Sequence, residues 1–229
     1  MPEIFDEWPE KYDEWFETSV GKLIKEYESE LILEMLRPVQ GEKILDAGCG
    51  TGVFTFDVLS AGAAVVGLEL STSMLLRAGK KLRGHPFQMV PGDMRYLPFA
   101  DNAFDKAISV TALEFIKDAK GAISELFRVT RPGGCIVVAT LNSLSPWAGR
   151  REAAGKKGHP LFNHAIFRSP DQIAGLSPVE GFIRTAIHFE KHDNPDQAEK
   201  IEKDGKSKGL ATGAFLAACW EKPGRKRPH

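Results

Sequence analysis

The segment from Lys43 to Thr55, KILDAGCGTGVFT, constrains the fold more than any other stretch of the chain. Mostly apolar residues run into a carboxylate, Asp46, and three glycines at alternate positions then lead straight into a helical pattern. Ile44 and Leu45 read as the end of a strand buried on both faces, whereas Val53, Phe54, Val58 and Leu59 recur at helical spacing. A glycine has no β-carbon, so at a strand-to-helix turn it accepts dihedrals that other residues avoid and lets a ligand come close to the main chain. Gly48, Gly50 and Gly52 therefore predict a small-molecule site at the carboxyl end of the first strand.

The same turn limits what can bind there. A dinucleotide fingerprint, Gly-x-Gly-x-x-Gly, would need a third glycine at Val53 or Thr55, and a phosphate-cradling loop would need Gly-Lys-Ser/Thr; neither occurs. Asp46 stands immediately before the turn, where its charge would repel a pyrophosphate. It suits instead a ligand with an ammonium group beside a carboxylate, the carboxylate being met by backbone N–H groups at the helix start.

Around this turn, strands and helices alternate. The stretch YDEWFETSVGKLIKEYESELILEMLRP carries apolar residues three and four apart and reads as helix ending at Pro38. Strands are expected near Lys43, at Ala64 to Leu68, Phe87 to Val90, Asp105 to Val110 and Cys135 to Ala139, with helices at Ser71 to Leu82 and Ala119 to Val129. Such alternation implies a parallel sheet covered on both faces. TAIHFEK and GAFLAACWEKP read as two further strands flanking a charged stretch from His192 to Lys208. A single domain over 1–229 is expected, with a helical cap over 1–40 and a disordered tail over 223–229.

Composition removes several functional classes. A formal net charge of -1 gives no general attraction to a polyanion, so a nucleic-acid partner is not expected. No apolar run is long enough to cross a bilayer, and the acidic opening MPEIFDEWPE is unlike a secretion signal, so a cytoplasmic protein without a membrane partner is expected. Cys49, Cys135 and Cys219 are scattered without metal-ligand or disulfide spacing, and no metal is expected. Cys49, inside the glycine turn, reads as a small packed side chain, with a reactive thiol as the alternative.

From Asp46 to Gly52 the residues follow the pattern D-x-G-x-G-x-G, and VVGLELSTSML, VPGDMRYLPFADNAFDKAISV and ELFRVTRPGGCIVVATLN follow in order. Together they resemble the class I S-adenosylmethionine-dependent methyltransferases, above all the UbiE-like, type 11 branch, whose members often methylate small molecules. The likeness is close from Tyr12 to Thr140 and holds in outline elsewhere. It implies a three-layer, Rossmann-like α/β fold: a seven-stranded, mainly parallel sheet with an antiparallel last strand and helices on both faces. It also implies S-adenosylmethionine as cofactor and S-adenosylhomocysteine as product.

By position in that resemblance, Asp46 would orient the methionine ammonium, Gly48 and Gly50 would let the main chain approach the methionine, and Gly52 would let helix pack on strand. Glu69 would accept from both ribose hydroxyls. Leu70 and Met74 would border the adenine, Asp93 would accept from its exocyclic amine, and the main chain of Met94 would read the ring edge. Val110 would face the methionine through its main chain. Tyr12, in an element with Asp13, Trp15 and Phe16, would cover that end.

The acceptor side is less defined. Many relatives carry a histidine after the fourth strand, but here the segment is TALEFIK, so Phe115 stands in its place. Glu114 is the nearby ionisable residue, read as a cap or salt-bridge partner for the following helix, and no catalytic residue is assigned. The stretch 141–170 has too many glycines, prolines and charges for a core element and is expected to lie over the carboxyl edge of the sheet as a lid. Its Arg150, Arg151, Lys156, Lys157 and Arg168 read as a solvated face or as an attraction for an anionic acceptor, and His159 and His164 are its imidazoles. The expected partner is a small-molecule acceptor. Two alternatives stand beside it: a methyltransferase acting on nucleic acid or protein, for which TALEFI lacks a base-flipping Asn-Pro-Pro-Tyr tetrad, and a non-catalytic cofactor binder or nicotinamide-dependent oxidoreductase.

Overall fold

A computed structural model describes residues 3–191 and 193–224. The chain opens with three helices, α1 (Glu3–Asp6), α2 (Pro9–Glu17) and α3 (Ser19–Leu36). The break between α2 and α3, absent from the sequence reading, is made by Thr18. Its extended backbone (φ -67°, ψ 154°) ends one helix, and its hydroxyl accepts from the Gly21 N–H at 3.0 Å to cap the next. Strand β1 (Lys43–Ala47) follows, then α4 (Thr55–Ser60), β2 (Ala64–Glu69), α5 (Thr72–Lys81), β3 (Phe87–Pro91) and β4 (Lys106–Val110). A 3-10 turn at Leu113–Phe115 leads to α6 (Ala119–Val129), β5 (Cys135–Leu141), α7 (Pro146–Lys156), α8 (Pro170–Ala174), β6 (Phe182–Ala186), α9 (Pro195–Ser207) and β7 (Phe215–Glu221).

The strands form one seven-stranded sheet in the order β3-β2-β1-β4-β5-β7-β6. Strands β1 to β5 pair in parallel, while β7 runs antiparallel to both β5 and β6. Alternating strand residues feed two cores. Ile44, Val65 and Ile108 join Leu31, Ile32 and Met35 of α3 on one face; Leu45, Val66 and Ala107 join Ala122, Ile123 and Leu126 of α6 on the other. Chain order reverses between β1 and β4, and in such sheets the crevice beyond the carboxyl ends of those strands is where ligands bind.

Three expectations need revision. The strand read at TAIHFEK lies earlier, at Phe182–Ala186, because Ile187 takes a left-handed φ of 65°. His188 then leaves the ladder to meet Glu202, whose Oε2 accepts from the His188 N–H at 2.7 Å and lies 3.0 Å from its Nδ1. The charged stretch between the last strands folds as α9, begun by Asn194 capping the Asp196 N–H and by Pro195 at the first helical position. The stretch 141–170, read as unfit for a core element, supplies one: Ser145 and Pro146 start α7, which buries Trp147, and the Trp147 indole donates to the Phe189 carbonyl at 2.7 Å. The tail from 225 onward, read as disordered, lies outside the described residues.

Candidate functional site

Strand β1 ends at the glycine turn, and Gly48, Gly50 and Gly52 all take left-handed φ values (83°, 53° and 79°). Their surroundings differ. A β-carbon on Gly48 would stand 2.5 Å from the Ala112 Cβ, and one on Gly52 would stand 2.8 Å from Leu82 Cδ1. A β-carbon on Gly50 would meet nothing within 4 Å and would project into a cleft. Two amides of the turn are committed internally, with Gly48 and Cys49 both donating to the Leu68 carbonyl at 2.7 and 3.1 Å. The turn is thus fastened to β2 before any ligand arrives.

Three carboxylates line that cleft. Asp46 is buried, its Oδ2 accepting from the Thr55 hydroxyl at 2.6 Å, and burial pushes its carboxyl up to about 7. Glu69, ending β2, holds a fixed orientation: Oε2 accepts from the Gly50 N–H at 3.0 Å and Oε1 from the Ser71 N–H at 2.8 Å. Burial raises its pKa against those backbone bonds. Each oxygen keeps a lone pair for a further donor. Asp93, past β3, is engaged by Arg95, whose Nε lies 3.0 Å from both carboxylate oxygens, and this partner holds its pKa below the ordinary value.

The cleft encloses about 1020 Å³ including its open mouth. All the sequence-selected residues line it except Gly52, which packs under Leu82 instead: Tyr12, Asp46, Gly48, Gly50, Glu69, Leu70, Met74, Asp93, Met94 and Val110. Sequence reasoning missed Phe5, Thr111 and Ile116, and marked Phe115 only as standing where relatives carry a histidine; the four close the end beside Tyr12. The Tyr12 hydroxyl is 3.4 Å from the Thr111 hydroxyl, and burial raises the tyrosine pKa. Thr111 has φ 47°, a strained backbone for a β-branched residue and a common mark of functional sites.

The N-terminal helices form a cover over this cleft. Asp6 accepts from the Ser71 hydroxyl at 2.6 Å, and Phe5 packs edge-on against Phe115 with centroids 4.8 Å apart. Asp13 accepts from Thr51, Arg77 and Lys81 at 2.6, 2.9 and 2.6 Å. Trp8 meets His159 of the 141–170 segment at 6.0 Å, and His159 stacks on Phe162 at 4.4 Å. The same segment is tied to the turn after β4: the Ile166 N–H donates to the Glu114 carbonyl at 2.8 Å, and Arg168 donates to the Leu113 and Ile116 carbonyls, both at 2.8 Å.

Two of the basic residues therefore point inward. Arg168 is buried, and Arg151 lies over Trp147 with its pKa lowered by burial, near the charges of Glu28 and Glu114. Arg150 pairs with Glu190, leaving Lys156 and Lys157 exposed. Glu114 does not cap α6, a role taken by Asp118, which accepts from the Gly121 N–H at 3.0 Å. It is fully buried and its Oε1 accepts from the Leu141 N–H at 2.8 Å, joining the turn after β4 to the end of β5. His164 lies exposed in the segment, away from the cleft lining.

Comparison with known proteins bears on this geometry. Residues 45–138 match the family described as "Methyltransferase domain". The malonyl-[acyl-carrier protein] O-methyltransferase of Erwinia pyrifoliae is 36% identical over 181 residues, covering 69% of this chain and 68% of that protein. The demethylmenaquinone methyltransferase of Streptomyces avermitilis is 35% identical over 176 residues, covering 75% of this chain and 70% of that one. With several other curated relatives the match spans less than half of their length. A solved structure from Thermotoga maritima, a methyltransferase described as a possible histamine N-methyltransferase, superposes with a TM-score of 0.74 at 21% identity, covering 97% of this chain and 100% of that one. By these matches, and with the glycine turn and three acids where β1, β2 and β3 end, the chain belongs to the S-adenosylmethionine-dependent methyltransferases, in the branch of the type 11 domain.

Proposed function

We propose that this protein transfers a methyl group from S-adenosylmethionine to a small-molecule acceptor. The observation that carries the reading is the set of three separately tuned carboxylates, Asp46, Glu69 and Asp93, along one cleft. A buried acid held near neutrality calls for a cationic partner, and Asp46 has one oxygen on Thr55 and the other available to an ammonium group. Glu69, fixed by two backbone amides, can accept from two adjacent hydroxyls of a ribose. Asp93 can accept from an exocyclic amine, with Met74 and Leu70 bordering the ring. The missing β-carbon of Gly50 leaves room for the amino-acid portion. These residues fit the cofactor.

When bound, the cofactor supplies a methyl group already activated on a positively charged sulfur, so alignment and exclusion of water matter more than acid–base assistance. Phe5, Tyr12, Thr111 and Phe115 then wall off the methionine end. The 141–170 segment contributes no lining residue and reaches this end through the contacts of His159 with Trp8 and of Ile166 with Glu114, so we place the acceptor's approach beside the N-terminal cover. We read the acceptor's reacting portion as flanked by apolar surface, because Phe5, Ala112, Phe115 and Ile116 form that wall. An anionic acceptor finds fewer partners here than the composition of the segment suggests, since Arg168 is buried, Arg151 is half-buried over Trp147 and Arg150 is paired. The two relatives named above are called after malonyl-[acyl-carrier protein] and demethylmenaquinone, and an acceptor of either kind is a starting point for assay. A reducing cytoplasm is the compartment we assign; among the described residues no helix is long and apolar enough to cross a membrane.

Thermal denaturation with S-adenosylmethionine, S-adenosylhomocysteine and NAD tests the reading. The first two should raise the midpoint and NAD should not, and no response to either sulfur nucleoside at millimolar excess would overturn it. Calorimetry on Glu69→Ala should show a loss of roughly 1 to 3 kcal/mol in cofactor binding, from removal of charge-assisted bonds. An acceptor library screened by mass spectrometry with labelled methyl donor then identifies the substrate.

A further inference from the structure

The sequence shows no pairing of cysteines, yet the sheet brings two of them together. Cys135 opens β5 and Cys219 lies in β7; the antiparallel register sets Cys135 opposite Glu221 and Val137 opposite Cys219. The two thiols are therefore diagonal neighbours on one face, with Sγ atoms 3.1 Å apart, inside ordinary contact for two sulfurs. Both also lie 3.8 Å from the Met35 carbonyl at the end of α3. No group of three metal-ligating side chains occurs among the described residues, so the pair is not part of a metal site there. Cys49 is remote from it, buried in the glycine turn.

We propose that Cys135 and Cys219 form an oxidation site, a dithiol that a peroxide closes to an intramolecular disulfide and that a dithiol reductant reopens. Cys135, the more exposed of the two, is taken as the one that meets peroxide; the same balance holds with the two sulfurs exchanged. The Cys135 sulfur attacks one peroxide oxygen, the O–O bond breaks, and Cys135 sulfenic acid and water form. Cys219 sulfur then displaces the hydroxyl from Cys135, the S–S bond forms, and a second water carries off the thiol proton. In sum two thiols lose two electrons and two protons, and the peroxide is reduced to two waters.

Closure draws the sulfurs inward by about 1 Å, to a bond of about 2.05 Å. Diagonal strand neighbours stand about 7–8 Å apart, beyond the Cα span of about 4.4–6.8 Å usual for a disulfide, so closure draws the two strands together and the bridge carries strain. Strained disulfides are the easily reduced ones, which makes this bridge reversible rather than permanent. It lies at the amino end of β5, the opposite end of the sheet from the cleft, so it should leave cofactor binding intact.

The experiment treats the full, reduced chain with hydrogen peroxide, alkylates the remaining thiols, and maps them by mass spectrometry. The expected product has lost about 2 Da, carries alkyl groups on Cys49 only, and yields a peptide joining Cys135 to Cys219 that dithiothreitol abolishes. Cys49→Ser should still form the link. Cys219→Ser should lose it and accumulate oxygen on Cys135. Retention of every thiol in the untagged wild-type chain, sulfinic acid on Cys135 without a link, or a link found solely between two chains would each overturn the proposal.

Discussion

At Asp46 a single carboxyl sets the pH response of the site. Its pKa of about 7 in the ligand-free protein means that below pH 7 an incoming ammonium group must first displace a proton. Affinity for S-adenosylmethionine should therefore be level above pH 7 and weaken about tenfold per unit as pH falls below it. Calorimetry from pH 6 to 8 checks this, and in Asp46→Asn the binding should be weaker and independent of pH across that range. Glu28 offers a stability counterpart. It is buried on α3, and burial pushes its pKa up to about 8 from 4.5. Its contribution to stability is fully present below pH 4.5 and is lost as pH rises to 8, because over that window the unfolded state releases a proton the folded state keeps. Glu28→Gln removes the titration. Its stability relative to wild type should grow by a few kcal/mol between pH 5 and 8 in urea unfolding, and parallel curves would refute the assignment.

The acids at this scale were legible because each follows a strand in a recognisable pattern: Asp46 before the turn, Glu69 ending β2, Asp93 after β3. Thr111, Phe5 and Phe115 were not. Their place in the cleft depends on a left-handed backbone after β4 and on a helix folding back across the sheet edge, and neither leaves a local signal.

Among elements, the glycine turn contains positions of opposite kind. Gly52→Ala would force a β-carbon against Leu82 at a left-handed φ and should destabilise the protein by about 1–3 kcal/mol, with cofactor affinity of the folded protein little changed. Gly50→Ala costs about 1 kcal/mol of backbone strain and should act mainly on binding, since its β-carbon enters the cleft. Unfolding midpoints and dissociation constants measured on both variants separate the two. Helix α2 is held down by Asp13 through Thr51, Arg77 and Lys81. Asp13→Ala should speed amide exchange over residues 9–17 and quicken cofactor release while the sheet exchanges as before. Period and propensity disclosed α3, α5, α6 and most strands. They did not disclose α7, whose charged surface hides one buried tryptophan, or the end of β6, where capture of His188 by Glu202 outweighs a continued ladder.

On the scale of the whole molecule the mainly parallel sheet with its antiparallel last strand was implied by resemblance, while the meeting of Cys135 and Cys219 came only with β7 inserted beside β5. Contacts between segments far apart in the chain are what a linear reading hides. The cleft itself joins parts that lie far apart in the chain. Its cofactor wall comes from Asp46 to Met94, inside the region that matches the family, whereas its cover comes from Phe5 to Phe16, which meets the segment beyond Leu141 through Trp8 and His159. Among the contacts that fasten these parts are those of Asp6, Asp13 and Arg168. Because Phe5 and Tyr12 also line the methionine end, a foreign cover grafted onto this sheet should alter the compound being alkylated and the grip on the donor together. Chimeras with relatives, assayed for acceptor choice and for donor affinity, would check that the two change as one.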